Sequence, residues 1–371
     1  MILQILAAVI GLLLVFFALW DGFRSVILPR RVTAHVHVLR LFLRILWPRY
    51  AQLAGRLGGG RRERLLSVYT PLALLLQLAL WAAALVVGFG FLQWALGPSL
   101  SDPLRRADLG TALYFSGVTF LTLGYGDVAP ASTAARLLAV LESGIGFGFL
   151  ALVISYLPMY YTAFSEREEI IAILDARAGS PPTAVEFLRR CLGSHKMDDF
   201  LADGERWAAT LLERQISYPA LGLFRSQHER QSWVAALTAL LDSSALVIVG
   251  VGDIPAYQAR LTFAMARHAA VDLLQIYGLE PQPAPDRLPP ATFARLQATL
   301  AEAEIPFVAA QEAEARLREL RELYEPYVNA LGTFLHMAVP GWLPTSDEPD
   351  AWEASPYEDA HWQMLTDGER S

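Results

Sequence analysis

Three stretches of the chain stay apolar for long enough to cross a bilayer. Ile2 to Trp20 carries no charged residue, a length that suits one membrane-spanning helix. Leu65 to Ser101 is also uncharged. Its centre, Leu72 to Trp94, predicts a second helix, with Pro71 suited to the start and Trp81 and Trp94 suited to depths where aromatic side chains gather. Leu137 to Phe164 predicts a third, holding a single acid, Glu142, and interrupted by Gly144, Gly146, Gly148 and Pro158. Leu109 to Thr122 is apolar but too short to span. It predicts a re-entrant helix, admissible at membrane depth only where protein surrounds it. A cleaved leader would want positive charge before the first run and small residues behind it. This run begins uncharged and ends Phe17-Ala18-Leu19-Trp20-Asp21, which predicts an uncleaved helix.

Charge orients these elements. Residues 21–64 hold ten arginines against Asp21 and Glu63, so residues 23–64 are expected on the cytoplasmic side and the N-terminus outside. Leu39 to Trp47 alternates arginine with apolar residues, as in a helix lying on the inner membrane surface. A voltage sensor would need arginine at every third position within a membrane span, and the pattern lacks that. Residues 1–164 carry 13 basic and 6 acidic side chains, and residues 165–371 carry 17 and 31. That split predicts a basic membrane portion and an acidic cytoplasmic portion with no nucleic-acid partner. Overall, 54% hydrophobic and 18% charged residues with mean hydropathy +0.34 suit such a mixture better than either class alone. The single cysteine, Cys191, excludes an intrachain disulfide.

Between the re-entrant stretch and the third span lies Thr122-Leu123-Gly124-Tyr125-Gly126-Asp127. Gly124 and Gly126 tolerate the positive φ that residues with a Cβ avoid, so successive carbonyls of this segment can point one way. A ring of such oxygens replaces the water around a dehydrated K⁺. The Thr122 hydroxyl can add another oxygen. The motif resembles the selectivity filter of the potassium-channel family in its two-helix pore-domain form. The resemblance implies an outer helix, pore helix, filter and inner helix over residues 65–164. It implies a homotetramer in membrane lipid conducting K⁺, with no cofactor and no metal beyond the permeant ion. Asp127 would sit at the outer mouth. Tyr114 and Phe115 occupy the family's aromatic cuff, and Val118 stands where some members have a glutamate bonded to the filter aspartate, so Asp127 is expected to lack that partner. Gly146 lies nineteen residues after Asp127, about where relatives place a hinge. Gly144, Gly146 and Gly148 therefore read either as a gating bend or as a close-packing face, and Pro158 as a second kink. Glu142 is expected to bond behind the filter or to pair with Arg136, unless it reaches outer water. Glu166, Glu168 and Glu169 follow the third span and, in a tetramer, would gather cations at the inner mouth; a solvated helix continuation is the plainer reading.

The expected class is thus an all-α membrane protein: an N-terminal helix at 1–22, a basic interfacial segment at 23–64, the pore domain at 65–164, a mainly helical cytoplasmic domain at 165–344 and an acidic tail at 345–371. It is expected in the cell membrane, multi-pass, and without enzymatic chemistry. In the cytoplasmic domain Val247-Ile-Val-Gly250-Val-Gly252-Asp253 has Pro255 where a dinucleotide loop needs its third glycine, so it reads as the joint between two helices. Cys191 and His195 form at best half a metal site. The uncharged run Tyr327 to Pro344 predicts a buried or surface helix rather than a fourth span. No ligand for this domain can be read from the sequence. Two rival readings are a poorly selective cation channel, if Leu123 or the cuff widens the filter, and a non-conducting membrane-anchored sensory module.

Overall fold

The structure, a computed structural model, describes residues 1–26, 41–97, 99–101, 108–191, 197–228, 230–252, 254–283, 285–307 and 310–344. Most of the interfacial segment before Leu41, including His35 and His37, lies outside them, as do residues 102–107, His195, Asp253 and the acidic stretch 345–371. In chain order the membrane half comprises α1 (Ile2–Val26), a π-helical turn (Leu41–Leu46), α2 (Trp47–Ala54), α3 (Gly59–Ala95), β1 (Leu100–Ser101), α4 (Leu109–Phe120), β2 (Ala129–Pro130) and α5 (Thr133–Ala178). Three of these helices, α1, α3 and α5, are long and apolar enough to cross a membrane. The chain divides into two compact units, Met1–Ile45 with Val68–Thr162, and Leu46–Ser67 with Ala163–Ser371.

Glycines let the helices of the first unit approach closely, because a missing Cβ permits near backbone contact. A Cβ on Gly11 of α1 would stand 2.6 Å from the Gly88 carbonyl of α3, and one on Gly88 would stand 2.8 Å from Val15. Two residues along α3, a Cβ on Gly90 would stand 3.1 Å from the Leu113 backbone of α4. Positions two apart lie on nearly opposite faces of a helix, so α3 is held between α1 and α4. Ala18, Leu85, Phe89 and Phe120 form the core at this crossing, with Ile145 and Phe149 of α5 packed against it. Trp81 Nε1 donates to the buried Asp21 carboxylate at 2.8 Å, a polar tie between α1 and α3. The N-terminal helix is therefore an integral part of this unit.

Two helix boundaries differ from expectation for one reason. Pro71 lies inside α3, which starts at Gly59, and α5 continues past Phe164 to Ala178. An apolar run marks what a bilayer covers. Arginine and glutamate are good helix formers, so the helix does not stop where charge begins.

The second unit adds α6 (Ala184–Cys191), α7 (Met197–Ser217), α8 (Trp233–Ile248), α9 (Tyr257–Tyr277), α10 (Pro290–Glu302), α11 (Ala310–Glu322) and α12 (Glu325–Leu335). Helix α8 is its spine. Every residue from Trp233 to Val247 is buried, which accounts for a segment apolar on all sides in the second half of the chain. Gly250 and Gly252, at φ 97° and 86°, carry the chain from α8 towards α9. Among the described residues the only strand-like pairing in this unit is the bridge between Val251 and Phe307. Buried charge is matched: Arg287 pairs with Asp242 at 2.5 Å and with Glu325 at 3.1 Å, and Tyr324 donates to Asp242. Burial, the Asp242 charge and that bond keep the Tyr324 phenol well above its ordinary range. The first half of the uncharged run after Pro326 becomes α12 and turns Val328, Leu331 and Leu335 inward.

Candidate functional site

The pore loop starts from α4. Asp108 caps this helix, accepting from the Thr111 amide at 2.8 Å, and the helix ends at Phe120. Its last turn is closed by Leu121 N on Gly117 O, Thr122 N on Thr119 O and Leu123 N on Val118 O, at 2.9 to 3.1 Å. From there the backbone alternates. Thr122, Gly124 and Gly126 have φ of 59°, 61° and 78°, whereas Leu123 and Tyr125 between them are not in the left-handed region. Among the described residues, none of the carbonyls of 122–126 accepts a backbone hydrogen bond, and residues 121–127 are all exposed within the single chain. Such a strip leaves several exposed oxygens without a backbone donor. Two of the three left-handed positions follow from glycine. Thr122 does not: a β-branched residue at φ 59° is strained, and the pattern of residue types carries no sign of it.

Side chains behind the loop hold it. Tyr114 Oη donates to Asp127 Oδ2 at 2.9 Å. Asp127 thus lacks the glutamate that some relatives place at Val118, as expected, and is bonded instead by Tyr114. Phe115 is buried. Ser116, which the sequence reading passed over, is the joint of three helices: its hydroxyl lies 2.7 Å from the Val86 carbonyl of α3 and is hydrogen-bonded to Glu142 of α5. Glu142 is fully buried, so it neither reaches outer water nor meets Arg136, whose Nε donates to Pro130 O. A polar residue in the middle of a short apolar helix was the available signal for Ser116. After the loop, β2 pairs with β1, and Ala131 N donates to Ser99 O at 2.7 Å, pinning the far end of the loop.

The glycines of α5 separate by environment. A Cβ on Gly146 would stand 2.1 Å from the Phe120 carbonyl, whereas Gly144 and Gly148 have nothing within 4 Å in the chain. Close packing therefore explains Gly146 directly. Pro158 lies inside α5. The three glutamates after the span also differ. Glu166 pairs with Arg214 at 2.8 Å; Glu168 is buried against Arg167 and accepts from Ser226; Glu169 is exposed. The expected group of three free carboxylates is thus reduced to one per chain, because arginines of the second unit take the other two. Among the described residues no three His, Cys, Asp or Glu side chains group as metal ligands, and Cys191 is buried.

Residues 78–163 match the family model described as "Ion channel". The chain is 34% identical to the two pore potassium channel c of Oryza sativa over 26% of its own length and 21% of the relative's. It is 38% identical to the two-pore potassium channel 2 of Arabidopsis thaliana over 15% of its length and 13% of that protein's. The uncharacterized membrane protein YdjJ of Bacillus subtilis is 23% identical over 52% of the chain and 58% of that protein. The chain thus spans 58% or less of these relatives, and no solved structure matches it. The helix–loop–helix of α3, α4 and α5 holds the matched residues and resembles the pore unit of the potassium-channel pore-domain family. The protein that carries it is an all-α membrane protein with a second, helical unit outside the matched region.

Proposed function

We propose that four copies of this chain surround one axis and form a K⁺-selective channel of the cell membrane, with the N-terminus outside and the second unit in the cytoplasm. The observation that carries this is the alternating left-handed backbone at Thr122, Gly124 and Gly126. Carbonyls of Thr122, Leu123, Gly124 and Tyr125, with the Thr122 hydroxyl, take the place of hydration water, and Gly126 closes the ladder below Asp127. One strip supplies one side of each ion cage, so four strips are needed to enclose the ion. Conduction follows from adjacent, weakly binding sites between which ions repel one another forward. The ring of free ends at the C-terminus of α4 adds partial negative charge facing the approaching cation. Tyr114–Asp127 and Ser116–Glu142 fix the strip from its outer and rear sides, and so support a filter narrow enough to reject Na⁺. The ten arginines of residues 21–64 support the orientation.

Reconstitution in liposomes tests the reading. K⁺ flux is expected, with Na⁺ passing far less readily, and Gly126→Ala is expected to abolish it because alanine resists the positive φ. Equal K⁺ and Na⁺ permeability would show a poorly selective cation channel. Absence of current under all conditions would favour a non-conducting sensory module, and unaltered flux in Gly126→Ala would refute the carbonyl ladder.

A further inference from the structure

The second unit contains a cleft of about 940 Å³ that no part of the pore reading uses. Its volume is within the range of small-molecule sites, about 300–1,000 Å³. Four arginines line it, Arg62, Arg225, Arg230 and Arg287, together with His336 and Ser232. The lining carboxylates are already committed. Glu63 is held by Arg225 at 2.5 and 2.9 Å, and Asp286 by Arg321 at 2.5 Å. Arg287 is in turn occupied by Asp242 and Glu325. Arg62 has a different environment. Its Nη2 donates to His336 Nδ1 at 3.1 Å, and its buried Nε–H has no partner among the described residues. A buried guanidinium donor left open is costly unless a ligand fills it.

Two further features add positive potential. Arg62 is a donor only, so its bond to Nδ1 leaves the neutral His336 ring with Nε2–H as a second donor. The N-terminus of α8 also opens on the cleft: Ser232, which caps it by accepting from Ala235 N at 3.0 Å, and Ala235 both line the wall. A helix of sixteen residues presents partial positive charge at that end. One carboxylate would need a single arginine fork. An open arginine donor, an imidazole donor and a helix N-terminus together suit a group with more charge and more acceptor oxygens.

We propose that this cleft binds a phosphate group carried on a small molecule of nucleotide size, with Arg62 as its charged contact. The proposal stands apart from the pore, since binding is read without ion flux. The test titrates the full-length chain in detergent with pyrophosphate, ATP and dioctanoyl phosphatidylglycerol, followed by calorimetry. Saturable binding of at least one is expected, weakened about tenfold or more by Arg62→Gln. Arg206→Gln, which alters an exposed arginine of α7 paired with Asp203, should leave binding unchanged. Binding of pyrophosphate or ATP identifies a soluble phosphate; binding of phosphatidylglycerol alone identifies a lipid headgroup. Should Arg62→Gln fail to fold, phenylglyoxal labelling of the unaltered chain replaces it. The bound probe is then expected to slow modification of Arg62 but not of Arg206. Absence of binding by all three probes overturns the proposal, as does binding that survives Arg62→Gln or labelling that no probe slows.

Discussion

Replacing Gly146 with alanine separates a hinge from a packing contact, because the two readings expect opposite results at neighbouring glycines. The added Cβ would lie 2.1 Å from the Phe120 carbonyl, where ordinary contact begins at 3.4 Å, so α5 and the end of α4 must part by 1.3 Å. Both atoms on the pore-helix side belong to backbone, with the Phe120 carbonyl carbon 2.9 Å from the new Cβ, so no side-chain rotation relieves the clash. Overpacking of this kind costs about 1–3 kcal/mol. Against that, alanine in a helix interior is favoured over glycine by about 1 kcal/mol. Gly144→Ala and Gly148→Ala gain the second effect without the first, since neither Cβ meets anything within 4 Å in the chain.

Thermal unfolding in detergent should therefore rank Gly146→Ala below the native protein and the other two at or above it. Because Phe120 immediately precedes the segment Leu121 to Gly126, the same displacement should also lower the K⁺/Na⁺ permeability ratio in liposomes. A hinge at this site would instead leave stability and selectivity alone and change only how often the pore opens. If Gly146→Ala is as stable and as selective as Gly144→Ala, the packing argument fails.

Three further outcomes follow from contacts around the pore and the cleft. Tyr114→Phe removes the 2.9 Å donor to Asp127 while keeping the ring; K⁺ current should then decline faster during sustained recording, and current as steady as the native would show that Asp127 needs no such tie. Ser116→Ala strands the buried Glu142, whose Oε2 already lacks a partner among the described residues, and should cost about 1–3 kcal/mol; adding Glu142→Leu should restore much of the loss, and a double variant weaker than either single one would contradict this. Burial first, then Arg62 and Arg225, hold His336 below its usual pKa, so the unfolded chain takes up that proton first. Stability from this group is complete above about pH 6.5 and lost as pH falls towards the depressed value. His336→Asn keeps an acceptor for Arg62 and tolerates the φ of 55° at this position, so its melting temperature should fall less than the native one between pH 7.5 and pH 5.5, all three values being set on the scale of an ordinary imidazole, about 6.5; parallel curves would dismiss the role of His336.

What the residue pattern reveals here depends on how far apart the interacting groups lie. Spans and filter are local: an uncharged run is long enough or it is not, and Gly124 and Gly126 mark left-handed backbone by residue type. Thr122 escapes that logic, since a β-branched residue is the last from which φ 59° would be expected, and only the glycines on either side of Tyr125 hint at the alternation. Val118 showed that Asp127 lacks the glutamate of some relatives, but not that Tyr114, thirteen residues away, bonds it. Glu166 and Glu168 read as solvent charges until Arg214, 48 residues on, and the neighbouring Arg167 took them. The cleft is the extreme case. Arg62 and His336 stand 274 residues apart, on either side of the whole pore unit, and neither carries a spacing that would connect it to the other. Periodicity reports which face of an element is buried; it carries no information about which distant element covers that face. A site assembled at such separation leaves no spacing in the sequence, and Arg62 counted there only as one of ten arginines that orient the membrane segments.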